Sequence, residues 1–425
     1  CGGVEDVRAA VIRASRLRVC RIDVVGGENQ MRSTTPSMAA NLRPAARLEL
    51  PNMSRLIRFD AGPSADSSTV TVESGMTLRT LLNLLQNEGF TLPSLPILLD
   101  QTVGGCIATG SHGSSLAHGT ISDSVVAVTV ILFGTGEVVR LEEDEELMRL
   151  ARCSVGSMGV VVNVTLQVVQ ARKFARSEVV VRTAAEVDEV CRQHEHCWIH
   201  WIEDKGYAIC LDESEEGSTY SGRNWYPYSK ELDNEMAGRN VLVATARRKN
   251  WTMQHSVPMS RLGSLMDVMT RASTSIKERC GRAPPFELKF IKDSGRTVHA
   301  PNSGGGAGEG WVALNVWWEC VEEDLLNLRG ELEALEGSRV HYGKYHTEVF
   351  SGPIPLARQI GGIKTISVIL PVFNALPYLQ LAIRDVLKQE VGGGLELIIS
   401  DDCSSDGSFE WICELCKEMK GRGLE

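Results

Sequence analysis

Twenty residues, 100–119, reading DQTVGGCIATGSHGSSLAHG, constrain this chain more than any other part of it. Gly104, Gly105, Gly110 and Gly113 let backbone approach a partner closely, and Thr102, Thr109, Ser111 and Ser114 offer hydroxyls. Such a stretch is suited to wrap a ligand rich in oxygens. A diphosphate held by backbone N–H groups and hydroxyls fits without any lysine or arginine. A glycine-rich surface loop is the plainer alternative, but it leaves the hydroxyls and an embedded His112 between apolar strands unexplained. No G-x-G-x-x-G follows a strand and no G-x-x-x-x-G-K-[ST] occurs, so neither a Rossmann site nor a P-loop is supported.

Periodicity places this stretch inside an α+β unit. Apolar spacing predicts a helix over 5–15, a strand over 18–25 ending at Gly26-Gly27, strands over 56–59 and 69–73, and a helix over 78–88 closed by Gly89. A hairpin over 124–133 and 137–141, a helix over 142–151 and an alternating strand over 159–169 complete it. From residue 174 the pattern changes to Val- and Trp-rich strands (177–181, 198–202, 207–211, 312–318) with helices near 262–273 and 322–335, a second α+β domain. Residues 304–310 read as a flexible loop between strands. A third shift follows, with apolar strands at 366–370 and 395–400 around a helix over 378–389, a βαβ unit with a parallel pair. The expected division is 1–171, 172–352, a linker over 353–364, and 365–425.

At 425 residues two to three domains are expected. The net charge of −10 argues against a nucleic-acid surface, and no apolar run of membrane-spanning length occurs, so small molecules are the expected partners. Twelve cysteines, mostly scattered singly, suit a reducing compartment and a soluble intracellular body. Cys413 and Cys416 have redox or zinc spacing without a second pair, and read as two positions on a helix. His194 and His196 have no third ligand close in sequence and read as surface residues, and no metal site is expected. The chain begins at Cys1 without a charged and apolar leader, so a missing start or a removed leader is expected.

Val72-Glu73-Ser74-Gly75, Asp100 through Gly105, Thr109-Gly110-Ser111-His112-Gly113, Ser122-Asp123 and Val155-Gly156-Ser157-Met158-Gly159-Val160-Val161 resemble, in order and spacing, the flavin domain of the aldonolactone and alditol oxidases. These are flavoproteins of the vanillyl-alcohol-oxidase type, with a PCMH-type FAD domain. The resemblance implies two α+β subdomains clasping FAD, with an α+β substrate domain beside them. It places Gly26, Gly27, Thr102, Gly104, Gly105, Thr109, Gly110, Ser111, His112, Gly113, Gly159 and Val161 along the cofactor. Where most of the family reads V-G-G-G-H-S, this chain reads Val25-Gly26-Gly27-Glu28-Asn29-Gln30. Asn29 stands at the histidine that bonds flavin and has no nucleophilic ring nitrogen, so FAD is expected to be held non-covalently. Glu28 brings a negative charge to the place where backbone meets diphosphate, which weakens the expected binding.

The second domain carries a thinner version of the same resemblance: residues 253–258 to M-E-Y-S-V-P, 285–290 to P-x-E-x-R-F, Asn315 to a polar strand position, and His341-Tyr342-Gly343-Lys344 to H-W-x-K. This implies hydride removal from a CH–OH of a sugar 1,4-lactone such as an arabinono-, gulono- or galactono-lactone, as in ascorbate-type biosynthesis, with dioxygen or cytochrome c as electron acceptor. Glu287 would position the hydroxyls, Lys289 would replace the family's Arg without its planar fork, Asn315 would line the site, and Lys344 would face the flavin. Read without the resemblance, Glu287 and Lys289 share a strand face and make an ordinary ion pair on a solvated edge, and His341, Lys344 and His346 read as surface. Membrane or mitochondrial association is common among related enzymes, though no segment here provides an anchor.

Residues 367–374, SVILPVFN, and 395–408, LELIISDDCSSDGS, resemble the opening βαβ of family 2 glycosyltransferases, a partial Rossmann-like α/β unit in which Asp401 or Asp402 contacts the nucleotide sugar. The metal-binding D-x-D is absent downstream, so no sugar transfer is expected from this piece. Three readings therefore stand: an FAD lactone oxidoreductase, a glycosyltransferase fusion or fragment, and a non-catalytic remnant.

Overall fold

The computed structural model describes residues 2–16, 21–25, 45–50, 52–63, 67–133, 135–142, 145–219, 251–281, 283, 285–298, 300–303, 310–318, 322–341, 365–372, 394–401 and 404–421, with single positions between 376 and 386. Residues 1–35 and 45–346 form one compact unit, and 36–44 with 347–425 a second.

The first unit begins with α1 (Val4–Arg16), whose Val7 and Val11 pack on Leu48, Met53, Ile131 and Val160. β1 (Arg21–Val25) pairs in parallel with β2 (Ala45–Glu49). β3 (Leu56–Asp60) and β4 (Thr69–Glu73) precede α2 (Leu78–Asn87), which buries Leu78, Leu81, Leu82 and Leu85. Thr77 caps its N-terminus, and Gly89 at φ 76° leaves it. β5 (Phe90–Thr91) leads to α3 (Val103–Thr109), and a 3₁₀ turn (Ile121–Ser124) leads to β6 (Val125–Ile131). β7 (Val138–Leu141), α4 (Glu145–Ala151), β8 (Val160–Gln167) and β9 (Val169–Gln170) follow. The order β3-β4-β8-β6-β7 makes a five-stranded antiparallel sheet.

The rest of this unit is built on an eight-stranded antiparallel sheet. Its strands are β10 (Lys173–Val181), β11 (His196–Ile202), β12 (Lys205–Glu213), β13 (Ser218–Thr219), β14 (Trp251–Pro258), β15 (Phe286–Ile291), β16 (Trp311–Trp318) and β17 (Arg339–Val340). Their order is β13-β10-β12-β11-β15-β16-β14-β17. One face carries Cys197, Ile199, Met253, Val257, Phe286, Leu288, Phe290, Val312 and Leu314 and packs under α5 (Ala184–Gln193), α6 (Leu262–Cys280) and α7 (Glu322–Glu333). Because strand side chains alternate, Trp198, His200, Gln254, Ser256, Glu287, Lys289, Ala313 and Asn315 fall on the opposite face.

In the second unit β18 (Thr365–Val372) and β19 (Gly394–Asp401) form the expected parallel pair. Positions 376, 379, 382, 383 and 386 between them are helical. Val372, Leu379, Ile383 and Ile412 of α8 (Ser408–Gly421) make its small core. The α+β architecture is as expected, but α3 and α5 stand where the sequence pattern pointed to no helix. Cys413 and Cys416 do lie on a helix, α8, and the seven cysteines whose state is described are free thiols. Burial pushes the Cys106 thiol up to about 12, so it is inert. Residues 304–309 lie outside the described residues.

Candidate functional site

The glycine-rich stretch becomes a two-turn helix and a wedge. Thr102 caps α3, its hydroxyl accepting from the Gly105 N–H at 3.3 Å. The Val103 and Gly104 N–H groups donate to Met76 O and Ser74 O at 2.8 Å, and Thr109 donates its hydroxyl to Gly105 O. The first turn of α3 is therefore already satisfied by protein. Three glycines also meet protein: a Cβ at Gly104 would lie 2.8 Å from Ser74 Cβ, one at Gly113 2.7 Å from Leu95 O, and one at Gly110, where φ is 71°, 2.8 Å from Pro301 Cδ. Gly105 differs. It is exposed and, with half-buried Ala108 and Thr109, forms an open face of small residues. Beside the Gly104 backbone, Ser74 buries a hydroxyl with no partner among the described residues. That face has room for a flat, oxygen-rich group such as FAD, and the first-turn N–H groups of the helix, already taken by protein, would not be what holds it. Gly26, Gly27, Glu28 and Asn29 lie outside the described residues. Gly159 (φ 131°) packs against Ile131 O, and Val161 pairs with Val130 inside the five-stranded sheet.

After α3 the chain enters the large sheet. β11 and β15 pair as far as Trp198 opposite Lys289, then part. Residues 114–115 fill the gap: Ser114 O accepts from Cys197 N at 3.2 Å, Ser115 N donates to Phe290 O at 2.8 Å, and Ser114 Oγ accepts from Phe290 N at 2.9 Å while donating to Cys197 O. Ser111 Oγ donates to Gln101 Oε1. His112 is buried and reaches Gln254 on β14, Nε2 to Nε2 at 2.7 Å. Asp123 clamps the same region, accepting from Thr120, Ser294 and Asn302.

The wedge lies beside a buried polar row. The register sets His200 opposite Glu287, Glu287 opposite Asn315, and Asn315 opposite Gln254, across β11, β15, β16 and β14. Lys289 Nζ stands 3.2 Å from Glu287 Oε2, with side-chain exposures of 8% and 3%. This is no solvated edge: β15 is central in the sheet, between β11 and β16, and both side chains are buried. His341 is likewise buried, its ring centroid 5.9 Å from that of His112. Lys344 and His346 lie outside the described residues, as does Asp402; of Asp401 only the backbone, at the end of β19, is described.

His196, expected at the surface, is 2% exposed, because β11 is covered on both faces. Its ring stacks on that of His118, and with Glu195 these offer ligand atoms within 4.8 Å of one another. The cation position is taken: the Arg172 guanidinium engages both oxygens of Glu195, with His118 Nε2 3.0 Å from Oε1. Burial opposes charge on Glu195, but His118 and Arg172 outweigh it and hold the carboxyl at about 2. Burial, reinforced by His118, pushes His196 down to about 4. His194 pairs with Asp212 at 2.6 Å. Ser114, expected to offer its hydroxyl to a ligand, spends it on Cys197 O and Phe290 N, and Gln254 and His200 were missed. Only the alternation of β14 and β11, read together with pairing no sequence shows, would have put these two beside Glu287.

The site thus joins a small-residue face to a sheet that carries a buried polar row. Residues 3–142 match the FAD binding domain family and residues 367–424 match glycosyl transferase family 2, as the two resemblances implied. The chain is 27% identical to the D-arabinono-1,4-lactone oxidase of Yarrowia lipolytica over 250 residues, 58% of this chain and 42% of that one. It is 34% identical to the enzyme of the same name from Candida glabrata over 137 residues (32% and 26%). It is 33% identical to mitochondrial L-galactono-1,4-lactone dehydrogenase 1 of Oryza sativa over 169 residues (40% and 25%). The chain thus spans less than half the length of these curated relatives. A solvent-stable cholesterol oxidase superposes with a TM-score of 0.62 over 81% of this chain and 83% of that one, at 15% identity, and shows the fold alone.

Proposed function

We propose that the chain is an FAD-dependent oxidoreductase acting on the CH–OH of a sugar 1,4-lactone. The observation that carries this reading is the Glu287–Lys289 pair, buried at 3.2 Å in a row with Asn315, beside the segment stitched to the small-residue face. Removing hydride from a carbinol carbon releases the hydroxyl proton, so a carboxylate and a cation near that hydroxyl orient it and balance the developing charge. Glu287 would take the hydroxyls, Lys289 would hold the carboxylate in place and Asn315 would offer an amide. FAD, when bound against Gly105, Ala108 and Thr109, supplies the hydride acceptor. Non-covalent attachment follows from Asn29, and Lys344 would serve the flavin side. The relatives' names support arabinono- and galactono-lactones as substrates, and the rice enzyme's name supports a mitochondrial site. Among the described residues no helix is long and apolar enough to cross a membrane. For the second unit, contact with a nucleotide sugar through Asp401 or Asp402 is proposed on the family match alone.

Incubating the full chain with FAD, removing free cofactor and recording the flavin spectrum is the first test. Bleaching of bound flavin by one of the three lactones, followed by reoxidation with dioxygen or cytochrome c, supports the reading and separates the acceptors. A protein that stays colourless after FAD, or whose flavin no lactone bleaches, overturns it.

A further inference from the structure

We propose that Gln254 is a positioning residue of this site: its side-chain amide holds His112 as a neutral imidazole and so ties the turn at Gly113 to the polar row. Its catalytic consequence rests on the function proposed above; its structural content does not. His112 Nδ1 lies 2.7 Å from Gly113 O, and Nε2 lies 2.7 Å from Gln254 Nε2. A carbonyl oxygen only accepts, so the ring proton sits on Nδ1. A neutral ring then has a bare Nε2, and the amide meets it with its NH₂ group. A doubly protonated ring would instead require the amide oxygen, with the side chain turned over. The orientation found is therefore that of a neutral, Nδ1-protonated histidine.

Both residues are buried, Gln254 at 1% and His112 at 5%, and among the described residues the charged or titratable groups on the facing surface are Glu287, Lys289, His200 and His341. Gln254 extends the row, standing opposite Asn315. With its Nε2 lone pair engaged, His112 is not the group that receives the substrate proton. It serves as a strut between the wedge and the sheet. This chain has Gln254 where the motif 253–258 resembles one with glutamate. A glutamate there could not donate to Nε2 and would draw a second proton onto the ring.

Nitrogen NMR of the full chain with isotope-labelled histidine, without added FAD, tests this directly, with His112→Asn identifying the signal. The expected result is an Nδ1–H tautomer, converted by Gln254→Glu to a ring protonated on both nitrogens at neutral pH. Gln254→Met, of similar size, moves the Nε2 resonance without adding a proton and covers the case in which the acidic variant does not fold. An Nε2–H tautomer in the parent chain, or Nε2 resonances unmoved by both variants, overturns the proposal. With FAD and lactone, both variants should lower kcat by about ten- to a hundredfold with KM nearly unchanged. If the NMR result holds and no form turns over a lactone, the positioning stands and the functional reading fails.

Discussion

Replacing Lys289 by Met isolates the energetics of the buried pair. At 3.2 Å and an effective dielectric of about 20, the attraction between the two charges is about 5 kcal/mol. That full amount is not lost, because a carboxylate deprived of this cation can take a proton instead. Neutralising a carboxyl of ordinary pKa, about 4.3, at about pH 7 costs about 3.7 kcal/mol, and this caps the penalty near the 3–5 kcal/mol typical of broken buried pairs. The sign with pH follows. In the variant the folded chain keeps a proton that the unfolded chain releases, so stability falls as pH rises, and at about pH 5 the loss shrinks to about 1 kcal/mol. Removing both charges, Glu287→Gln with Lys289→Met, should recover at least about 2 kcal/mol of the loss at neutral pH. Urea unfolding followed by tryptophan fluorescence is the assay, since Trp198 and Trp311 lie in the same sheet. A neutral-pH loss below about 1 kcal/mol, a loss unchanged by acid, or a double variant no better than the single one refutes a desolvated ion pair at this place.

Gly110→Ala meets both a left-handed φ of 71° and Pro301 at 2.8 Å, whereas Gly156→Ala meets only a φ of 80° with no atom within 4 Å. Thermal unfolding should show about 1–2 kcal/mol lost at Gly156 and clearly more at Gly110. Ser114→Ala strands the Phe290 N–H in the wedge and should cost about 1–3 kcal/mol by the same measurement. Glu195 and His196 both have folded pKa values below their ordinary ones, so the unfolded chain takes up protons first. Stability should fall as pH drops from 6.5 towards about 4 through His196, and from 4.5 towards about 2 through Glu195. His196→Gln should flatten the upper part of a denaturation series against pH, and Glu195→Gln the lower part.

Local pattern revealed what local chemistry determines. The helix at residues 78–87 announces itself by leucine spacing and a closing glycine, and the alternation of 160–167 by its half-buried face. The helix at 103–109 was invisible because its two glycines disfavour a helix on propensity; it stands because Ser74 O and Met76 O take its first N–H groups, contacts distant in sequence. His196 was misjudged for the same kind of reason. Exposure in a strand depends on what covers it, and here both faces are covered, one by helices and the other in part by His118, whose ring stacks on that of His196. Glu287 and Lys289 could be placed on one face from spacing alone. That the face is buried, and that Gln254 and His200 share its row, depends on strand order, which spacing does not carry.

The glycine-rich segment serves two masters, and this bears on how its motif should be read. Gly104, Gly110 and Gly113 are each pressed against protein, and Ser114 is hydrogen-bonded into the break between two strands of the other sheet. These contacts would require the same residues in a chain that never met a cofactor, since a Cβ at any of the three would collide with backbone or with a packed side chain. Folding alone therefore asks for these residues, whether or not a cofactor lies against them. The residues freer to change are the ones that folding does not need: the open face at Gly105, Ala108 and Thr109, and the hydroxyl of Ser74, which has no protein partner among the described residues. Gly105→Val, at an exposed position where a Cβ would meet only Thr102 Oγ1 at 3.2 Å, should accordingly weaken FAD binding far more than it lowers stability. Equal loss of both would mean that the open face is not where the cofactor lies.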